Sequence, residues 1–214
     1  MTRDEMVAEI RKGLSFRASS TNLNTRIVEC LQRAQRSREK GKTLPKFLIQ
    51  EDATLTGTAN VAAISLPSGF IRIVEDENIW WDGDSDNDRR ELERADYKQL
   101  KTIWTGTTLT TPVAYALRKA TVHIFPTPTA AHTYTYSYYK AADELDDGSD
   151  ENVWALNAPD LLIAEAGLIV ATDLGDVEAT TKFAAMQTTA AQDVFYEILL
   201  DELADYPLVM GGNN

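Results

Sequence analysis

The stretch NAPDLLIAEAGLIVATDLGD, residues 157–176, decides the fold because it holds two helix boundaries and a nearly all-apolar helix between them. Asn157 is the predicted N-cap of that helix. A helix that is apolar on almost every face is typical of the centre of a core. Gly175 then predicts a helix end and Asp176 a helix start, so the chain must turn back sharply. An αα-hairpin is therefore predicted over residues 157–206.

The second helix of this hairpin is predicted to run over residues 177–204. Its inward apolar stripe recurs at helical spacing: Phe183, Met186, Ala190, Val194 and Ile198. Pro207 follows the helix, and the chain ends as LVMGGNN. Such a tail either frays or docks on another surface, and residues 207–214 are therefore interpreted as a C-terminal arm.

Two further helices are predicted near the N-terminus. Thr2 and Glu5 fit a capping box at the start of the first helix. The second helix covers about residues 22–40, and Cys30, the only cysteine, is expected to be a buried, inert thiol within it. Its far end is basic and contains Arg33, Arg36, Arg38, Lys40 and Lys42. These charges either complement the negative pole of the helix dipole or form a contact patch used in assembly.

The middle of the chain is predicted to be β-rich. β-branched and aromatic residues dominate residues 61–67, 69–81, 114–125 and 132–140. In the last segment, one side of the predicted strand carries His132, Tyr134, Tyr136 and Tyr138. FPTPT (125–129) is interpreted as a turn, because proline lacks a ladder donor, and residues 88–104 are interpreted as a short helix.

These elements predict an α+β fold. Residues 1–43 and 150–206 are expected to form a helical bundle, with an acidic linker at 143–152 leading into its C-terminal part. Residues 44–142 are expected to form an inserted β-rich lobe.

Charge is distributed unevenly along the chain. The net charge is −12, yet residues 1–50 carry +6 and residues 51–214 carry −18. From Ala141 onward, Lys182 is the only basic residue against 16 acidic ones. Because acidic surfaces repel phosphate backbones, this composition argues against general nucleic-acid binding, although the basic N-terminal segment could meet an acidic partner or DNA locally.

No combination of residues indicates catalysis. His123 and His132 lie in neighbouring β segments without a metal or nucleophile motif, and His132 is interpreted as a packing residue. The sequence has no phosphate-binding glycine motif. It also lacks a signal-peptide core or a membrane-length apolar run, so a soluble protein that is neither an enzyme nor dependent on a cofactor is expected.

Two binding alternatives remain open. The acidic loop 82–88 places carboxylates at alternate positions and Glu93 at the twelfth, as in a calcium loop, but Asn87 replaces the usual glycine and a strand precedes it instead of a helix. A solvated acidic loop is the favoured interpretation. Separately, Trp80 and Trp81 with the tyrosine strand form either a stacking platform for sugars or ordinary sheet packing.

In its order of elements the sequence resembles the head-to-tail adaptor (connector) proteins of tailed bacteriophages. The resemblance rests on LPSGFIRI (66–73), TYTYSYYKA (133–141), Asn152 in the acidic linker, and NAPD (157–160) before an alanine-rich helix that ends at Gly175 and Asp176. It covers about two-thirds of the chain and is densest over residues 112–185.

This resemblance implies a structural subunit of the phage neck, assembled in the host cytoplasm and carried in the virion. Its implied partners are copies of itself in a ring, dodecameric by resemblance, the portal protein above, and a tail or nozzle protein below. DNA would pass through the ring without specific binding, and no membrane is involved. In such adaptors the helical part forms the ring and the extreme C-terminus reaches the portal. The corresponding arm residues are Tyr206, Leu208, Val209 and Met210. The rival hypothesis is a carbohydrate- or calcium-binding recognition module of a phage particle.

Overall fold

The computed structural model describes residues 1–15, 21–74, 77–83 and 89–204 and confirms the α+β class. The helices are α1 (Arg3–Gly13), α2 (Thr21–Glu39), α3 (Tyr97–Trp104), α4 (Val153–Asn157), α5 (Pro159–Leu174) and α6 (Val177–Ala204). The strands are β1 (Ile49–Thr56), β2 (Ala63–Ser65), β3 (Phe70–Ile73), β4 (Trp80–Asp82), β5 (Arg90–Glu91), β6 (Glu93–Arg94), β7 (Thr108–Leu109), β8 (Ala114–Arg118), β9 (Thr121–Phe125), β10 (Thr127–Pro128) and β11 (Thr133–Lys140).

The chain divides into two compact units. The helical unit comprises Met1–Phe47 and the chain from Ala142 onward, and the β unit comprises Leu48–Ala141. The chain therefore leaves the helical unit after Phe47 and returns to it at Ala142, and the β unit is formed by one continuous segment.

Helix α5 is the centre of the helical unit. It contacts α1, α2, α4 and α6, and most of its side chains are buried, as its all-apolar sequence predicts. On α6, the predicted stripe is buried at Phe183 and Ala190 and half-buried at Met186 and Val194. The side chain of Ile198 lies outside the described part of the structure.

The hairpin turn between α5 and α6 follows the prediction. Gly175 adopts a left-handed conformation with φ 67°, and its N–H donates to the carbonyls of Ala171 and Thr172. Asp176 accepts from the Ala179 N–H at 3.0 Å, which starts α6. Its carboxylate also accepts from the Ser15 N–H at 2.8 Å, so the end of α1 is tied to the turn.

The predicted start of the hairpin is wrong. Asn157 ends the short helix α4 instead of capping α5, and its amide donates to the Val153 carbonyl at 2.7 Å. Ala158 occupies the N-cap position of α5 without a side-chain hydrogen bond. The capping asparagine is Asn152, the last residue of the acidic linker, which accepts from the Ala155 N–H and starts α4.

The N-terminal helices agree with the sequence. Thr2 and Glu5 form both hydrogen bonds of the capping box. Cys30 is buried on the inner face of α2, and burial raises the pKa of its thiol. The predicted burial of Cys30 is confirmed, and burial with a raised pKa is typical of a structural cysteine.

The β unit contains two larger sheets that share one apolar core. In the first, the order is β1-β11-β4-β5, all antiparallel, and β3 also pairs with β11. In the second, the order is β2-β9-β8-β6, with β6 parallel to β8. Residues from both sheets form the core, among them Leu55, Ile64, Tyr115, Ile124 and Tyr134.

Three predictions within this unit need correction. Residues 69–81 form two strands, β3 and β4, instead of one. FPTPT is not only a turn, because Thr127 and Pro128 pair in parallel with β7. The helix predicted from residue 88 begins at Tyr97, because the Asp96 carboxylate caps the amides of Lys98 and Gln99, while Leu92 is buried in the sheet core.

Candidate functional site

The structure divides the basic end of α2 into two kinds of residue. Arg33 and Lys40 are exposed. Arg36 is also exposed, although its guanidinium donates to the Gln32 carbonyl and lies 3.8 Å from the Glu144 carboxylate. Exposed cations of this kind are available to a partner.

Arg38 has a different environment, because its guanidinium is ion-paired with the largely buried carboxylate of Glu165 on α5. Gln187 on α6 donates to the same carboxylate at 3.0 Å. The three side chains therefore join α2, α5 and α6 within one chain. Arg38 is used inside the helical unit and is less available for a contact between subunits.

A buried polar network fixes the place where the chain returns to the helical unit. The Glu39 carboxylate accepts from the Ala142 N–H at 3.0 Å, from Trp154 Nε1 at 3.1 Å and from the Gln35 amide at 3.2 Å. Asn152 donates to Gln35 Oε1 at 2.9 Å and to the Asp143 carbonyl at 2.7 Å.

Sequence reasoning missed this network. Gln35 and Glu39 are separated by four positions on α2 and read as surface polar residues of a basic helix end, yet both are buried. Asn152 and Trp154 come from more than a hundred residues later in the chain. The one available signal was the spacing of Gln35 and Glu39, which places them on the same face as the apolar residue Leu31.

The hairpin seam depends on two glycines that face one aromatic ring. A Cβ added to Gly167 on α5 would lie 2.5 Å from the Phe183 ring, and one added to Gly13 at the end of α1 would lie 2.4 Å from it. Only glycine permits this approach, so Phe183 occupies a slot between α1 and α5.

The aromatic strand does not offer a binding platform. Tyr134, Tyr136, Tyr138 and Trp81 are buried in the core of the β unit. Burial raises the pKa of Tyr134 to about 12 and is also the main cause that raises that of Tyr136 to about 12. Trp80 is half-buried, with the Arg89 guanidinium 5.1 Å from its ring centroid. The burial of Tyr134, Tyr136, Tyr138 and Trp81 agrees with the packing interpretation, because buried rings do not offer their faces to a sugar.

The two histidines pack at separate places in the β unit. His132 is buried against Trp81, with its Nε2 2.8 Å from the Thr110 carbonyl, which agrees with a packing role. His123 packs against the Tyr97 ring. Within the residues that the structure describes, no group of three histidine, cysteine or acidic side chains could hold a metal ion.

Two sets of predicted residues cannot be placed. The centre of the acidic loop, residues 84–88, lies outside the described residues. The same holds for the arm residues Tyr206, Leu208, Val209 and Met210.

The protein thus consists of a helical unit with a basic helix end and a long terminal helix, joined to a β unit. The family model of the SU10 adaptor protein matches residues 1–210. The chain belongs to this family. The predicted resemblance to phage head–tail adaptors is confirmed, and the SU10 adaptor family is structural.

Membership of the SU10 adaptor family gives the general role of the protein. The protein is a phage adaptor that interacts with other head and tail components of the virion. No curated protein matches this adaptor in sequence. Among the described helices of the adaptor, none combines the length and apolarity that crossing a membrane requires.

Proposed function

We propose that this adaptor forms a closed ring of identical subunits, dodecameric by resemblance, that docks beneath the portal protein and presents a platform to a tail or nozzle protein. The helical unit forms the ring, and DNA passes through it. The role is assembly without catalysis or a cofactor.

The length of α6 is the observation that carries the ring proposal. α6 has 28 residues and α5 has 16, which correspond to about 42 Å and 24 Å at about 1.5 Å per residue. The second half of α6 therefore extends beyond α5. That half contains the largely apolar sequence FYEILL (195–200), and the side chain of Tyr196 is 60% exposed. An exposed aromatic side chain within a largely apolar sequence is typical of a surface that a neighbouring subunit covers.

The hairpin turn supplies a second apolar surface on the helical unit. Leu174 and Val177, which flank the turn, are 51% and 78% exposed. A heterologous ring contact joins two different surfaces of one subunit, and the hairpin turn and the projecting half of α6 are two such surfaces. The acidic composition of the chain after Ala141 suits a channel for DNA, because it prevents the counterion release that makes basic surfaces retain DNA.

Electron microscopy of the adaptor mixed with portal protein tests this proposal. Rings seated on the portal, with an oligomer mass that fits twelve copies, are expected. An adaptor that stays monomeric and does not bind the portal protein would refute the proposal. Calcium uptake by the purified adaptor, measured by equilibrium dialysis, would favour the recognition-module alternative instead.

Deleting residues 208–214 is expected to abolish binding to the portal, because the resemblance assigns the arm (Tyr206, Leu208, Val209 and Met210) to that contact. The melting temperature and the far-ultraviolet circular dichroism spectrum should stay unchanged, since the arm follows the described fold. Portal pull-down measures the effect. Retained binding would refute the assignment of the arm and leave the ring proposal intact.

The exposed part of the basic helix end is proposed as an assembly contact. Changing Arg33→Glu together with Lys40→Glu is expected to reduce ring formation on the portal at least tenfold, because like charges then face the acidic partner surface. Arg36 and Arg38 belong to the same proposed interface because they lie on the same helix end, but Arg38 is already paired with Glu165 within its own chain. The matched control, Lys12→Glu with Lys182→Glu, makes the same change in net charge at exposed positions elsewhere. Equal loss in both variants would show a general effect of charge and contradict the assignment.

A further inference from the structure

A basic groove lies on the β unit beside α3. It has a volume of about 800 Å³ and is lined by Arg94, Lys98, Lys101 and Arg118, with Tyr97 and Leu117 between them. The four cationic side chains come from two separate stretches of sequence and are all exposed.

No carboxylate among the described residues lies within ion-pair distance of these four cations. Asp96, the acidic residue that lines the groove, uses its carboxylate to cap the amides of Lys98 and Gln99 at 2.9 and 3.2 Å. By contrast, the guanidinium groups of Arg26, Arg36 and Arg38 on α2 lie within ion-pair distance of carboxylates.

An aromatic ring holds the charges in place. The Arg118 guanidinium lies 4.8 Å and the Lys101 ammonium 6.0 Å from the centroid of the Tyr97 ring. The ring is itself fixed by His123 at 4.7 Å and Phe125 at 6.0 Å. Burial, and then the charge of Arg118, lower the pKa of His123, which agrees with a positive potential at this surface. Cations held over an aromatic face lose little conformational freedom when an anion binds.

The same chain contains a sequence of complementary charge. After Lys182 it has five acidic residues and no basic one: Asp193, Glu197, Asp201, Glu202 and Asp205. Positions 193, 197 and 201 follow one another at four-residue spacing on α6, so they share one face of that helix. This face belongs to the half of α6 that extends beyond α5.

We propose that the basic groove of one adaptor subunit binds the acidic face of α6, around positions 193–202, of a second copy. The inference rests on the proposed self-assembly and adds to the ring contacts of the helical unit one contact in which the β unit takes part. Each subunit offers one groove and one acidic helix, so the contact is heterologous and can continue from subunit to subunit until a ring closes. Complementary charge at such a contact sets its register and speeds association.

Duplex DNA is the competing occupant, because phosphates also attract cations. The chain carries −12 overall, and a duplex that approached the groove would meet the repulsion of that net charge. The acidic face of α6 matches the groove in charge and is present at the same concentration as the groove. The experiment must therefore distinguish DNA bound in the groove from α6 of a second copy bound there.

Zero-length cross-linking tests the contact directly. The full-length adaptor, as an equal mixture of ¹⁴N- and ¹⁵N-labelled protein assembled on portal, is treated with a water-soluble carbodiimide, which joins an ammonium to a carboxylate in contact with it. Mass spectrometry is expected to find Lys98 or Lys101 joined to an acidic residue of 193–202, with about half of the cross-linked pairs in mixed isotopes. Single-isotope pairs without any mixed-isotope pairs would show a contact within one chain and overturn the proposal, as would the absence of this cross-link in assembled rings.

Charge exchange supplies the functional readout. Lys101→Glu with Arg118→Glu is expected to weaken self-association at least tenfold, measured by sedimentation, and adding Asp201→Lys with Glu202→Lys in the same chain is expected to restore it. Lys12→Glu with Lys182→Glu is the control. Unchanged self-association of the groove variant, or failure of the exchange to restore it, overturns the proposal. So does a groove variant that loses only retention of duplex DNA.

The two proposals fail in distinguishable ways. If the wild-type adaptor forms the mixed-isotope cross-link in concentrated solution but no ring on the portal, the proposed function fails and the groove contact stands. If rings form on the portal and lack the cross-link, the groove contact fails and the proposed function stands.

Discussion

Replacing Phe183 with alanine is expected to lower the free energy of unfolding of the adaptor by about 3–5 kcal/mol, because the substitution removes a large side chain from a tightly packed core. The ring is 1% exposed and lies against the backbones of Gly13 and Gly167. Gly13 and Gly167 have no side chains that could move into the space left by the ring. Urea denaturation followed by circular dichroism at the helical band measures the change.

A control on the same helix separates packing from helix propensity. Thr189 is exposed on α6, and its hydroxyl donates only to the Ala185 carbonyl. Thr189→Ala is expected to change the free energy of unfolding by less than about 0.5 kcal/mol, as exposed substitutions do. If Phe183→Ala stays within about 1 kcal/mol of the wild type, the slot described between α1 and α5 is not tightly packed.

The same substitution has a consequence for assembly. Phe183 holds α6 against α5 and α1, and the proposed ring contact depends on the part of α6 beyond them. Loss of the Phe183 ring is therefore expected to reduce ring formation along with stability, whereas deletion of the arm should leave stability unchanged. Measuring ring formation and the free energy of unfolding for Phe183→Ala and for the arm deletion shows which losses of assembly result from a destabilised fold.

The hairpin was predictable because its signals are local. Gly175 and Asp176 stop one helix and start the next by hydrogen bonds within four residues, and the apolar stripe of α6 correctly identifies Phe183 as inward-facing. The depth of the Phe183 slot was not predictable. It depends on Gly13 and Gly167, which lie on two other helices and carry no side-chain pattern of their own.

The sequence-based predictions were wrong where a local pattern was compatible with two structures. Leu92 and Leu100 fit a helical spacing, but Leu92 is buried in the sheet core of the β unit, and the Asp96 cap delays the helix to Tyr97. Asn157 and Asn152 are both good N-caps by residue type, and the selection of Asn152 follows from its bonds to Gln35 and to Asp143. These partners are brought to Asn152 by the tertiary fold, so the residues next to Asn152 in the sequence do not reveal them.

The basic groove illustrates the same limit at a surface. Arg94, Lys98 and Lys101 follow one another along the chain, but the cluster is completed by Arg118, which β8 brings beside α3. In the sequence, acidic residues lie between and beside these cations, so no basic cluster is recognisable there. Only the structure shows that the nearby Asp96 is already used as a helix cap.

Replacing Glu39 with alanine is expected to have the second-largest effect on stability, a loss of about 2–4 kcal/mol. The carboxylate accepts from the Ala142 N–H and from Trp154 Nε1, and each buried donor left without a partner costs about 1–3 kcal/mol. Glu39→Gln keeps an acceptor oxygen in the same place and should lose clearly less. Chemical denaturation of both variants, with tryptophan fluorescence as a second probe for Trp154, measures the difference.

A matched control for Glu39 is Glu29→Ala, which removes an exposed carboxylate from the same helix and should cost less than about 0.5 kcal/mol. If Glu39→Ala and Glu29→Ala are equally mild, water replaces the carboxylate and the network is not required for the fold. If Glu39→Ala alone is costly, the network is what holds the returning chain at Ala142 against α2. Because Ala142 is where the β unit ends and the helical unit resumes, the substitution then reports on the anchorage of the inserted segment itself.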